Sequence, residues 1–213
     1  MLLRETFEAG PLACNCTVLA CPETRSAVVI DPGGETKRIA DIVRSNGLSV
    51  AAIIHTHAHL DHIFCTRDVK EEHGGDICLH KADTFLYDGI AVQAQMFGWK
   101  VNDPLPIERF VEHGDEIEFG KQRATVIHTP GHTPGSVCFE IDDGDDKLVF
   151  AGDTLFRRGI GRTDLPGGDP RQIAVSIRER LYTMRPDAKV IPGHGPSTTI
   201  AEEASKNPFV TAE

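Results

Sequence analysis

The segment Thr56-His57-Ala58-His59-Leu60-Asp61-His62, directly after the apolar run Val50-Ala51-Ala52-Ile53-Ile54, constrains the fold more than any other part of the chain. Three imidazoles and a carboxylate lie within six consecutive residues, and this is the donor chemistry of borderline divalent cations such as zinc, manganese and iron. No thiolate stands among the donors, which favours a catalytic ion over a structural one. In an extended loop His57 and His59 point to one side, whereas Asp61 and His62 follow a turn later and face a second point. One ion does not easily use all four, so further donors must arrive from elsewhere in the chain.

Three distant residues fit that need, each following an apolar strand and a glycine. His132 lies in Thr129-Pro130-Gly131-His132-Thr133-Pro134-Gly135-Ser136 after Ala124-Thr125-Val126-Ile127. Asp153 lies in Gly152-Asp153-Thr154 after Leu148-Val149-Phe150-Ala151, and His194 in Pro192-Gly193-His194-Gly195-Pro196 after Val190-Ile191. Glycine permits sharp turns and close backbone approach beside a bulky ion.

With these motifs in this order, over nearly the whole chain, the sequence resembles the metallo-β-lactamase fold superfamily. The segments Gly131-His132-Thr133-Pro134-Gly135-Ser136, Gly152-Asp153-Thr154-Leu155-Phe156 and Gly159-Ile160-Gly161-Arg162-Thr163-Asp164 are similar to its glyoxalase II-like branch, the hydroxyacylglutathione hydrolases. The resemblance implies that His57, His59 and His132 hold one metal, that Asp61, His62 and His194 hold another, and that Asp153 bridges them. It also implies an α/β (α+β) fold, the four-layer αββα sandwich.

Two divalent ions, zinc first with iron and manganese as alternatives, suit hydrolysis. Such ions lower the pKa of bound water to roughly 7, and a pair roughly 3.5 to 4 Å apart can share a bridging hydroxide as nucleophile. Asp61 is expected to act catalytically as a ligand that also orients this hydroxide, and no Ser or Cys nucleophile is needed. A thioester fits well, because a thiol of pKa about 8.5 leaves as thiolate with little help from a general acid.

Composition narrows the partners. The 213 residues carry 22 Lys plus Arg against 32 Asp plus Glu, a formal net charge of -10, which disfavours nucleic acid or an anionic membrane surface. No apolar stretch approaches the ~20 residues needed to cross a bilayer, and Met1 to Glu8 lacks the apolar region of a secretory signal. The reading is a cytoplasmic protein acting on a small molecule, monomeric or a small homo-oligomer. One domain is expected over 1–213, without a separate C-terminal helical domain. Cys14, Cys16, Cys21, Cys65, Cys78 and Cys138 lie mostly in apolar patterns and read as reduced, buried thiols. The alternative is a metal- or redox-active Cys14-Asn15-Cys16.

The patterning predicts two successive blocks of strands and helices. In the first, Cys14 to Ala20 and Ala27 to Ile30 form a hairpin, Thr36 to Asn46 a helix with Gly47 behind it, and Val50 to Ile54 the strand that delivers the metal loop. A helix from His62 to His73 and a short strand, Ile77 to Leu79, follow. The second block predicts strands at Glu116 to Phe119, Ala124 to Ile127, Ser136 to Ile141 and Leu148 to Ala151. A helix capped by Asp169-Pro170, with Ile173, Ile177 and Leu181 along one face, then precedes Lys189-Val190-Ile191.

Residues 82–106, with Phe85, Tyr87, Met96, Phe97 and Trp99 among polar neighbours, read either as a lid over the metals or as a helical insertion packed on the core. Asp31 ends a strand on the same edge as the metal loops and is placed to orient a ligand imidazole. His55 and His128 also precede metal loops, although a hydrogen-bonded core position suits both; His73, His80 and His113 read as ordinary.

Arg157, Arg158 and Arg162 form the sharpest basic cluster, and Arg158 and Arg162 are expected to grip a substrate carboxylate. Arg162 stands where the hydroxyacylglutathione hydrolases carry a glutathione-binding lysine; the aromatic expected soon after is replaced by Thr163-Asp164. The leading reading is a dinuclear hydrolase of thioesters such as S-lactoylglutathione, giving D-lactate and glutathione. The alternatives are a mononuclear-iron persulfide dioxygenase and a lactonase, β-lactamase or other ester hydrolase.

Overall fold

The computed structural model describes residues 1–212. The first half of the chain builds a six-stranded sheet in spatial order from β1 (Leu3–Ala9) through β2 (Cys14–Ala20), β3 (Ser26–Ile30), β4 (Ser49–Ile54) and β5 (Asp76–His80) to β6 (Arg109–Val111). The first three strands pair antiparallel; β3 to β6 pair in parallel. Parallel pairing demands crossovers. These are α1 (Thr36–Ser45) before β4, α2 (Leu60–Ile63) and α3 (Thr66–His73) before β5, and α4 (Thr84–Asp88) and α5 (Ile90–Met96) before β6.

The second half builds another six-stranded sheet from β7 (Glu116–Phe119), β8 (Gln122–His128), β9 (Val137–Asp143), β10 (Asp146–Gly152), β13 (Lys189–Pro192) and β14 (Thr198–Thr199), with β14 and β7 at its edges. A small hairpin of β11 (Leu155–Phe156) and β12 (Gly159–Ile160) follows β10. Helix α6 (Pro170–Ser176), prolonged by a π turn over Ile177–Leu181, precedes β13, and α7 (Ile200–Lys206) follows β14. Asp169 caps α6, its Oδ1 accepting from the N–H groups of Arg171 at 2.8 Å and Gln172 at 3.0 Å.

Strand alternation distributes these sequences into three cores. Val28 and Ile30 of β3, Ile54 of β4, and Leu148 and Phe150 of β10 face the seam between the sheets, with Phe119, Val126 and Phe139. Their neighbours Val29 and Ile53 turn outward onto Ile39, Leu60, Ile63 and Val69 of the helices. Val149 and Ala151 turn the opposite way, onto Ile173, Ile177, Leu181 and Ile200. Each fully buried Ile, Leu or Phe contributes roughly 1.5–3 kcal/mol, so reversing the phase of one strand would expose several at once. The layers run helix, sheet, sheet, helix, the expected αββα sandwich. Among the described residues no helix is long and apolar enough to cross a membrane, and all six cysteines are unpaired and buried.

Several elements depart from the sequence expectations. The helix expected over His62 to His73 is two helices, because the Cys65 N–H donates to the Pro32 carbonyl at 2.9 Å instead of continuing a helical ladder. Gly33 makes this close packing possible: a Cβ there would fall 1.7 Å from the Asp61 carbonyl oxygen. Ser136 stays out of β9, its hydroxyl accepting from the Thr133 N–H at 3.0 Å. Strands β1, β6, β11, β12 and β14 and helix α7 were not anticipated; four of these strands are only two or three residues long, and β1 and α7 mix polar with apolar residues.

Candidate metal centre

Every proposed donor sits where a strand of the sandwich ends. The loop after β4 carries His57 and His59, α2 carries Asp61 and His62, the β8–β9 loop carries His132, and Asp153 and His194 follow β10 and β13. Their ligand atoms form three overlapping sets, His57–His59–His132, His57–His62–Asp153 and Asp61–His62–His194, with the atoms of each within 4.8 Å of one another.

In the first set, Nε2 of His132 lies 3.2 Å from Nε2 of His57 and 2.9 Å from Nδ1 of His59. The far nitrogens of His132 and His57 settle their tautomers. His132 Nδ1 donates to the Arg162 carbonyl at 2.7 Å. His57 Nδ1 lies 3.1 Å from the Thr56 hydroxyl, which itself donates to Asp31 Oδ2 at 2.6 Å and therefore accepts from the ring. The Nε2 atoms of His57 and His132 thus present bare lone pairs to each other, an arrangement that repels unless a cation lies between them.

In the second set, His194 Nε2 is 3.0 Å and His62 Nε2 is 3.6 Å from Asp61 Oδ2. His62 Nδ1 donates to Asp31 Oδ2 at 3.0 Å, and His194 Nδ1 to the Ala13 carbonyl at 3.2 Å. Asp153 spans the two sets, with Oδ1 3.5 Å from His62 Nε2 and Oδ2 3.6 Å from His132 Nε2. Both His62 Nε2 and Asp153 Oδ1 are buried without a hydrogen-bond partner. An unpaired buried donor or acceptor costs about 1–3 kcal/mol; a divalent cation on each set satisfies both atoms, so these residues fit two such ions. Gly193 is required for this closeness, since a Cβ there would lie 2.2 Å from Asp153 Oδ1.

The electrostatics divide the same way. Burial, reinforced by the neighbouring imidazoles, holds His57 far below the usual histidine range and lowers His59 to about 3, so both stay neutral and ready to donate lone pairs. Burial also works against charge on His62, but Cys14, Asp61, Asp153 and Asp31 outweigh it and push its pKa well up. Asp61 is held low because His62 and His194 outweigh its burial. The acidic half of the centre therefore draws positive charge to itself.

Asp31 serves both halves. Its Oδ1 accepts from the Thr56 N–H at 2.8 Å while Oδ2 receives the Thr56 hydroxyl and His62. The backbone adopts a left-handed φ of 49° to achieve this, a conformation non-glycine residues seldom occupy. His55 is buried, with Nε2 3.2 Å from the Thr66 hydroxyl, and His128 places Nε2 2.9 Å from the Pro134 carbonyl.

The arginines behave differently from one another. Arg158, expected to grip substrate, turns to α7: its Nη2 lies 2.9 Å from Glu202 Oε1 and its N–H 2.8 Å from Glu203 Oε2. Burying the Glu203 carboxylate demands that pairing, so Arg158 secures the fold. Arg162 touches the centre through its carbonyl, while its exposed guanidinium makes a two-pronged pair with Asp164 at 2.7 Å on both arms. Arg157 is exposed.

The roles of several supporting residues go beyond the sequence reading, in which Cys14 and Asn15 stand only in the metal- or redox-active alternative. Asn15 Nδ2 donates to the Pro192 and Gly195 carbonyls, each at 2.9 Å, fixing the His194 loop. Cys14 lies 3.4 Å from His62 Nδ1. Asp83, Gln93, Thr133 and Ser136 bond around the His57 and His132 loops. The Thr-x-x-Ser spacing before β9 was the one available signal, as a hydroxyl-capped turn.

Residues 9–194 match the Metallo-beta-lactamase superfamily. The chain is 36% identical over 201 residues to the hydroxyacylglutathione hydrolase GloC of Haemophilus influenzae, covering 93% of each. Among solved structures it is similar to TTHA1623 in a di-iron-bound form, with TM-score 0.84, 39% identity and coverage of 95% of this chain and 98% of that one. The BLEG-1 B3 metallo-β-lactamase gives TM-score 0.89, 31% identity and coverage of 98% and 100%. ETHE1 from Myxococcus xanthus gives 0.78, 27%, and 99% and 85%. Fold, donor set and sequence agree: this chain belongs to the metallo-β-lactamase superfamily.

Proposed function

We propose that this chain is a metal-dependent hydrolase of thioesters, with S-lactoylglutathione as the representative substrate and D-lactate and glutathione as products. The observation that carries this reading is the pair of donor sets joined by Asp153, all seven residues being in place. Two divalent ions bound there would supply Lewis acidity and lower the pKa of water to roughly 7.

The chain's own residues supply the rest. Asp61 Oδ2, 3.0 Å from His194 Nε2 and 16% exposed on its side chain, is the carboxylate that accepts a hydrogen bond from the attacking water and fixes its direction. Asp31 and the Ala13 carbonyl hold the His62 and His194 rings in the tautomers that leave Nε2 free. Thiolate departure needs no dedicated acid, since a thiol's pKa of about 8.5 makes it a good leaving group. Arg162, released from Asp164, offers its fork to a substrate carboxylate. The similarity to GloC supports the thioester assignment.

Two readings compete on specific observations. A mononuclear-iron persulfide dioxygenase is a chemistry that needs only part of this donor set, and ETHE1 shares the fold at 27% identity. Similarity to BLEG-1 supports an amide- or ester-cleaving hydrolase such as a β-lactamase or lactonase. Zinc is the proposed metal, and the di-iron form of TTHA1623 makes iron the alternative, with manganese also compatible with the donors. The deciding experiment counts metal per chain while following S-lactoylglutathione hydrolysis and oxygen uptake with glutathione persulfide. Two metals with thioester cleavage support the proposal; one iron with oxygen consumption overturns it.

A further inference from the structure

The insertion between β5 and β6 sends two side chains onto one short stretch of the metal loop. Asp83, at the end of the 3-10 turn Lys81–Asp83, is fully buried. Among the described residues its carboxylate has no lysine or arginine partner and is satisfied by neutral donors. Oδ2 accepts from the Ala58 N–H at 3.1 Å and from the Thr133 hydroxyl at 2.8 Å, and Oδ1 accepts from the Gly135 N–H at 2.6 Å. Gln93 of α5 completes the grip: Nε2 donates to the Ala58 carbonyl at 3.0 Å, and Oε1 accepts from the Leu60 N–H at 2.9 Å.

Ala58 separates His57 from His59, and the insertion holds both its N–H and its C=O. Thr133 follows His132. Its N–H donates to Ser136 Oγ at 3.0 Å, and the two hydroxyls lie 2.7 Å apart, so a chain of hydrogen bonds runs from Ser136 through Thr133 to Asp83. One carboxylate therefore links the loop that supplies two donors of the first set to the loop that supplies the third. The second set is anchored separately, by Asp31 on His62 and by Ala13 on His194.

We propose that Asp83, assisted by Gln93, is a positioning residue for the first metal: the insertion clamps the His57–His59 loop to the His132 loop and sets the spacing of those three rings. Substitution by asparagine keeps the shape of Asp83 but turns an NH₂ toward one of two backbone N–H donors. Thr133→Val removes the hydroxyl link, and Thr133→Ser retains it. The idea rests on the metal-centre reading and not on any particular substrate.

The test measures zinc affinity by chelator competition in two full-length backgrounds, His194→Ala, which leaves the first site, and His59→Ala, which leaves the second. In the first background Asp83→Asn and Thr133→Val are expected to weaken zinc binding by about 10–100-fold, with Thr133→Ser restoring it. In the second, affinity is expected to stay within about 2-fold. Unchanged affinity at the first site, equal weakening of both sites, or failure of Thr133→Ser to restore binding would overturn the clamp. Absence of tight zinc binding in both parent backgrounds would overturn the metal reading itself and the clamp with it. Should Asp83→Asn fail to fold by circular dichroism, the Thr133 pair carries the comparison.

Discussion

Oδ2 of Asp31 lies 3.0 Å from Nδ1 of His62, on the opposite side of the ring from the nitrogen that faces Asp61 and Asp153. The contact fixes the tautomer of His62, and the Thr56 hydroxyl on the same oxygen extends the influence to His57. Asp31→Asn tolerates the left-handed backbone at φ 49° and keeps the side-chain shape, but it puts an NH₂ where one carboxylate oxygen accepts, so charge and an acceptor are lost together. Metal affinity at the Asp61–His62–His194 site is expected to fall by about 10–100-fold, read by competition with a chromophoric chelator.

His62→Ala and His194→Ala each remove a donor from the second set and none from the set of His57, His59 and His132. Metal content after dialysis is expected to drop from two ions per chain to one in both variants. Unchanged content in both would show that the ligands are divided differently.

Gly193→Ala is the mildest change that attacks the centre. The new methyl would stand 2.2 Å from Asp153 Oδ1 and 2.8 Å from His62 Cε1, so the joining carboxylate must move. A displacement near 1 Å costs roughly 100-fold in rate. Steady-state kinetics should show that loss, while circular dichroism shows an intact fold.

Arg158→Ala separates packing from substrate binding. The buried Glu203 would lose the guanidinium while keeping Thr198 at 2.7 Å and Asn207 at 2.9 Å, so a stability loss of about 1–3 kcal/mol is expected by urea unfolding. KM for a glutathione thioester should not change. Arg162→Ala should do the reverse, raising KM with stability unaltered, since its pair with Asp164 is solvent-exposed.

His80 gives the fold a pH dependence of its own. Burial, and then the His128 ring stacked at 4.1 Å, lower its pKa to about 4. The unfolded chain binds this proton near 6.5, so the contribution is complete above that pH and is lost progressively as pH falls from 6.5 toward 4. Chemical denaturation at pH 7.5 and pH 5 should show a smaller difference for His80→Gln than for the parent chain.

The residues that the fold gathers into the candidate metal centre were legible because each combines a strand end with a glycine or sits in one compact cluster, features that survive in a linear reading. Asp83 was not. In Lys81-Ala82-Asp83 it reads as surface charge, and its partners Ala58 and Thr133 stand 25 and 50 positions away. The pairing of Arg158 was hidden for the same reason, since Glu203 is 45 positions on. The helix expected from His62 to His73 failed where a tertiary contact, Cys65 to Pro32, outcompeted local propensity. The sandwich was legible in the two successive blocks of strands and helices and in the family resemblance; β3, β4 and β10 read as continuous apolar runs because each is buried on both faces by different layers.

The two donor sets draw on both sheets: His57, His59, Asp61 and His62 come from the loop and helix that follow β4 of the first, and His132, Asp153 and His194 from loops of the second. A cation held there is a cross-link between the two halves of the chain, added to their apolar seam and to the hydrogen bonds of Asp83 and Asn15 across it. Free metal at 1,000 times its dissociation constant would contribute about 4 kcal/mol per site to the folded state, comparable to a disulfide. Loading would then govern the chain's lifetime as well as its turnover, and the metal-free form is the one a protease should cut first.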